Sequence, residues 1–182
     1  GVAALIVEKP LAIQAEDYRQ IREFAASHPL KVAINHQLHF QPRRFELQQR
    51  VADGQIGDVR YVDASCGMNL AYQGTHTLQA IGAFLPSRQP AQVFGQASGA
   101  SGLADTPGKH FAPDSAQAVI GYGDEIQATL QSGETAPHVG REGVHTHKRV
   151  AVYGTRGFAH WTMWGWELGI DGHVESGSHE YP

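Results

Sequence analysis

The residues best placed to do chemistry are Glu8-Lys9-Pro10, which close the apolar run Val2-Ala3-Ala4-Leu5-Ile6-Val7. Small and β-branched side chains in an unbroken run read as a strand buried on both faces. Proline has no N–H to give a ladder, so the strand stops there and Glu8 and Lys9 emerge at its carboxyl end. In open α/β sheets that end is where ligands bind. A lysine delivered there is a charge-assisted donor for a developing negative charge; the alternative is a solvated Glu-Lys pair that merely closes a strand. A rival cluster is His138, His145 and His147. His145 and His147 on a strand would share a face, a ligand-like spacing. No cysteine lies near them, and Glu142 falls in an irregular loop. With 11 histidines in 182 residues, chance pairs are common, and no metal is expected.

The elements that must position Lys9 follow from periodicity. Gln14 to Ser27 places Tyr18, Ile21, Phe24 and Ala25 on one helical face. Lys31 to Asn35 reads as a second short strand. Pro42 is suited to open another helix, with Phe45, Leu47 and Val51 as its apolar residues and Gly54 as its left-handed cap. Val59 to Ala64 reads as a strand. After residue 86 the texture turns extended. Strands are expected over 91–97, 115–122, 125–131, 148–153 and 158–163, with hairpin connections at Tyr122-Gly123-Asp124-Glu125 and Gly154-Thr155-Arg156-Gly157. Consecutive strands without helices between them imply an antiparallel or mixed sheet. Gly99 to Pro113 reads as a loop. Arg43, Arg44 and Arg50, on the Pro42 helix, read as a solvated basic face.

The order strand-EKP-helix-strand-(F-x-P)-helix-G-x-I-G-strand resembles the Gfo/Idh/MocA family of nicotinamide-dependent oxidoreductases. The resemblance continues through Gln73-Gly74-Thr75-His76 and through Val150-Ala151-Val152-Tyr153-Gly154-Thr155-Arg156-Gly157. It implies the carboxyl-terminal end of a Rossmann-type domain, residues 1–36, followed by an α+β domain, residues 37–182. The second domain would bind substrate and carry an open, largely antiparallel or mixed sheet with helices on one face. It further implies hydride transfer between NAD or NADP and a sugar, cyclitol or related polyol. The alternative is a family-like sensor or binding protein that keeps the fold without turnover. The same likeness puts homo-oligomerisation on the open sheet. Trp161, Trp164 and Trp166 fall near that sheet, either as interface anchors or as core.

Carried over by resemblance, Lys9 is the residue beside nicotinamide and substrate, and His76 matches the family's catalytic histidine. An imidazole titrates near neutral pH and can serve as acid or base. Glu8, Pro10 and Asn35 accompany Lys9 at the cofactor; Gln37, Tyr72 and Gln73 accompany Lys9 and His76 at the substrate. Glu8 is read as bracing the strand end. Asn35 and Gln37 either hydrogen-bond ribose or substrate hydroxyls or cap the next turn. Three positions depart from the family pattern. Tyr72 stands where relatives often carry Asp, four residues before the histidine; it is a proton donor or part of the pocket lining. Gln79 stands where Asp is common three residues after it. His39 occupies the arginine position of Arg-Phe-x-Pro.

Family members begin with a glycine fingerprint that cradles pyrophosphate at a helix N-terminus. Gly95, Gly99 and Gly102 have the wrong spacing for it. The chain is therefore expected to be part of a longer protein lacking most of the cofactor domain, with truncation at the other end also expected. At 41% hydrophobic and 18% charged residues, the composition is that of an ordinary folded domain. A net charge of −4 with no dense Lys/Arg cluster argues against nucleic acid. No apolar run reaches membrane-span length. One cysteine, Cys66, fits a reducing, cytoplasmic location.

Overall fold

A computed structural model describes residues 2–103, 111–123, 125–137 and 147–179. His138, Glu142 and His145 lie outside the described residues, as do Asp124 in the first hairpin connection and residues 104–110 of the expected loop. The chain divides into two compact units, Gly1–Leu38 and His39–Pro182.

The first unit is one strand-helix-strand crossover. β1 (Ala4–Glu8) pairs in parallel with β2 (Lys31–Asn35), joined by α1 (Ala15–Ser27). A parallel pair requires such a crossover. The register runs from Ala4 opposite Lys31 to Glu8 opposite Asn35, so the carboxyl ends of both strands finish level. The expectation that β1 is buried on both faces is not met: Ile6 is 76% exposed and Leu5 is also exposed. Among the described residues β1 pairs with β2 alone, and two strands with one helix cannot enclose two apolar faces.

The second unit is built on an eight-stranded mixed sheet, in the order β10-β9-β8-β7-β3-β6-β5-β4. Its strands are β3 (Val59–Cys66), β4 (Gln92–Ser98), β5 (Ser115–Gly121), β6 (Gln127–Gly133), β7 (Lys148–Gly154), β8 (Gly157–Thr162), β9 (Gly165–Ile170) and β10 (His173–Ser178). Among the described strands of this sheet, β3 and β6 are the parallel pair; β3 meets β7 antiparallel. β9 and β10 are absent from the sequence reading, although their turn carries a legible signal. Asp171 and Gly172 have φ of 48° and 88°, the two positive values a two-residue hairpin turn demands.

α2 (Pro42–Ala52) and α3 (Thr75–Phe84) pack on the sheet, α3 against β3, β6 and β7, and α2 against β8 and β9. Alternation along the strands then sorts the side chains. Val62, Ala64, Leu130, Val150, Val152, Trp161 and Leu168 are buried on the helix side with Leu47, Val51, Ile81 and Phe84. Each such large side chain stabilises the fold by roughly 1.5–3 kcal/mol. Pro42 opens α2, and Gly54 at φ 76° follows its end. The tryptophans split: Trp161 is core, while Trp164 is exposed beyond β8.

The two glycine motifs dock against each other. Thr155 N–H donates to Asp58 O, Arg156 N–H donates to Ile56 O, and Asp58 N–H donates to Thr155 Oγ1. Gly57 sits at φ 77°, and a Cβ there would collide with Thr155 Oγ1. G-x-I-G and Y-G-T-R-G are thus two halves of one structural clasp.

Candidate functional site

In the first unit, Lys9 follows β1 directly and emerges beside the end of β2. Asn35 Nδ2 donates to Glu8 Oε1, tying the two strand ends together. Glu8 therefore braces the edge from which Lys9 projects. Partial burial lowers the Lys9 ammonium pKa below its ordinary value, with the Glu8 carboxylate opposing that shift. The Lys9–Pro10 peptide is cis. Gln37 opens a 3-10 turn, Gln37–Phe40. The unit offers no glycine turn for pyrophosphate, since no glycine occurs between Gly1 and Gly54.

In the second unit, Asn69 caps a π-helical segment, Leu70–Gly74, by accepting from Tyr72 N–H at 2.9 Å. α3 continues from Thr75. Tyr72 therefore precedes His76 across a change of helical type, not one regular α-helical turn along a single helix. Tyr72 is 41% exposed, while His76 is 6% exposed and Gln73 is buried. The structure thus brings together Glu8, Lys9 and Asn35 in one unit, and Tyr72, Gln73 and His76 in the other.

The sequence reading of Arg43, Arg44 and Arg50 as one solvated face is corrected. Arg44 is 1% exposed. It shares the stripe Arg44, Leu47, Gln48 and Val51, all buried on α2, and that helical period was the available signal. Arg43 lies over the Trp166 ring at 4.4 Å, and Arg50 pairs with Glu175 at 3.1 Å. Arg44 Nη2 donates to Gln79 Oε1 at 2.6 Å, and its guanidinium lies 5.4 Å from the Trp161 ring centroid. Burial lowers its pKa to about 10, which leaves it cationic at neutral pH.

Sequence reasoning also missed Gln41, the middle residue of F-x-P. Its Oε1 accepts from Arg44 N–H at 2.7 Å and from Trp161 Nε1–H at 3.1 Å. Its Nε2 lies 2.9 Å from His179 Nδ1. Gln79 Nε2 meets His39 Nδ1 at 3.0 Å, so the two departures from the family pattern at 39 and 79 contact each other. His147, the described member of the histidine cluster, is fully buried against Ser65 Oγ at 3.0 Å. Among the described residues no three potential metal ligands gather.

No family profile and no curated protein matches this sequence. Solved structures do. An inositol dehydrogenase homologue from Azotobacter vinelandii, crystallised with NADH and myo-inositol, aligns over 95% of this chain and 49% of its own at TM-score 0.73 and 18% identity. An NAD-binding oxidoreductase from Klebsiella pneumoniae aligns over 95% of this chain and 53% of its own at TM-score 0.77 and 14% identity. The fold is that of the Gfo/Idh/MocA oxidoreductases. A super-repressor mutant of Gal80p from Saccharomyces cerevisiae shares it at TM-score 0.74 and 12% identity, over 98% of this chain and 53% of its own. The chain spans about half the length of these structures. Within the Gfo/Idh/MocA fold, the mixed sheet with α2 and α3 on one face is the second domain, as the sequence reading expects. No helix among the described residues is long and apolar enough to cross a membrane.

Proposed function

We propose that the chain is the substrate side of an NAD(P)-dependent oxidoreductase acting on a sugar, cyclitol or related polyol. The observation that carries this reading is Lys9 at the level carboxyl ends of the parallel pair β1–β2, in a chain with this fold. When bound, the nicotinamide supplies the hydride acceptor or donor. Lys9 Nζ donates to the reacting oxygen and stabilises negative charge there, helped by an ammonium pKa already lowered by burial. Glu8 and Asn35 hold the strand end from which that donor projects. His76 takes or returns the hydroxyl proton, while Tyr72 and Gln73 line the approach to it and Gln37 and Asn35 meet hydroxyls.

The test is nicotinamide oxidation or reduction by the intact protein against a panel of polyols. Lys9→Met should lower turnover on the order of 10²-fold or more with cofactor binding less affected. His76→Ala should lower turnover and alter its pH profile. Near-normal turnover in Lys9→Met would leave the EKP motif a strand terminus only.

A binding or sensing role is the second reading. It is favoured by Tyr72 and Gln79 in place of carboxylates, and by the occurrence of this fold in Gal80p, crystallised as a super-repressor mutant. Tight nucleotide binding without turnover on any polyol would select it.

A further inference from the structure

We propose that Arg44 and Gln79 lock His39 as a neutral imidazole with its proton on Nε2, so that near neutral pH the ring is a fixed hydrogen-bond donor at Nε2 and takes no part as acid or base. The protonation state rests on the geometry of the second unit alone.

The argument is one of obligatory donors. A guanidinium has only N–H donors, so the Gln79 amide atom 2.6 Å from Arg44 Nη2 must be the oxygen. The other end of that amide is an NH2 group, which cannot accept. It lies 3.0 Å from His39 Nδ1, so Nδ1 must carry no proton and accept. A neutral ring then holds its hydrogen on Nε2. Double protonation would set two donors face to face and bring a second cation towards Arg44. Burial and the Arg44 charge both lower the His39 pKa. Phe40 and Phe45 meet the ring edge-on, at 5.1 and 6.4 Å between centroids, and fix its plane. The groups facing His39 are therefore a cation and an amide from α2 and α3, and two phenyl rings.

Gln41 and His179 repeat the construction. Gln41 Oε1 is pinned by two N–H donors, from Arg44 and Trp161, so its NH2 faces His179 Nδ1 at 2.9 Å. The backbone His179 N–H donates to Trp164 O at 2.9 Å, so there the device fastens the residue that follows β10. On His39 the same device leaves the ring a donor at Nε2. Gln79 and Arg44 are positioning residues acting through it.

Long-range ¹H–¹⁵N NMR of the imidazole nitrogens in the intact protein tests the lock, with the His39 signals assigned by their loss in His39→Gln. The expected result is the Nε2–H form at neutral pH, titrating below an unperturbed histidine. Gln79→Glu is nearly isosteric and replaces the NH2 by an acceptor. It should move the proton to Nδ1 and raise the His39 pKa by about one unit or more, a tenfold gain in proton affinity. Arg44→Met frees the amide to rotate and should give a mixture of tautomers. Should that variant fail to fold, Gln79→Glu decides. An Nδ1–H ring in the wild type, or a Gln79→Glu spectrum unchanged in tautomer and pKa, would overturn the proposal.

Discussion

Gln41→Ala should be among the most destabilising single substitutions of a half-buried polar residue in the second unit. Gln41 Oε1 caps α2 at Arg44 N–H, 2.7 Å away, and holds the indole N–H of buried Trp161 at 3.1 Å. Losing a helix N-cap costs roughly 0.5–2 kcal/mol. Leaving the Trp161 donor buried without a partner costs about 1–3 kcal/mol more. The two losses share one atom and are not strictly additive, so about 2–4 kcal/mol is expected. For a domain of this size that corresponds to a fall in Tm of roughly 5–15 °C. Urea titration followed by tryptophan fluorescence reads both the loss and the altered Trp161 environment. Gln41→Glu keeps an acceptor for both N–H donors and adds negative charge at the helix N-terminus, so it should recover most of the loss. A Gln41→Ala change below about 0.5 kcal/mol, within the range of ordinary surface substitutions, would refute the reasoning, as would Gln41→Glu being the worse of the two.

Histidine burial sets a pH dependence. His39, His160 and His179 are all shifted down, in each case mainly by desolvation, so the unfolded chain binds protons that the folded one resists. Stability should be flat above about pH 7 and fall as pH drops below about 6.5, the unfolded histidine value; a denaturation midpoint constant down to about pH 5 would contradict it. Gly57→Ala places a Cβ against Thr155 Oγ1 at positive φ and should cost about 1–3 kcal/mol by thermal melting; an unchanged melt would mean the clasp is not tight. The chain itself should show no micromolar binding of NAD(H) or NADP(H) by calorimetry, because residues 1–38 supply no glycine cradle for pyrophosphate; such binding would require a different cofactor site. The open sheet face, with Phe94 81% exposed and Val119 also exposed, should mediate self-association that Phe94→Glu weakens; sedimentation of wild type as a monomer at high concentration would count against it.

Local pattern alone determined most of the elements. The helical periods of 14–27 and 42–54, the proline and glycine that bound the second helix, and the alternating strands after residue 86 all act through contacts a few residues apart, so the chain displays them directly. Lys9 at a strand end was legible for the same reason. Burial was not. β1 carries apolar residues for two faces, yet which faces are covered depends on neighbours in space, and β2 is the strand paired with it. Arg44 reads as one of three basic residues on a helix, and only the seating of α2 on β8 and β9 turns it inward against Gln79 and Trp161. The meeting of His39 with Gln79 spans 40 residues, and that of Gln41 with His179 spans 138. Such pairs leave no periodic trace, because the hydrogen bond that fixes each proton exists only once the sheet has brought distant segments within about 3 Å.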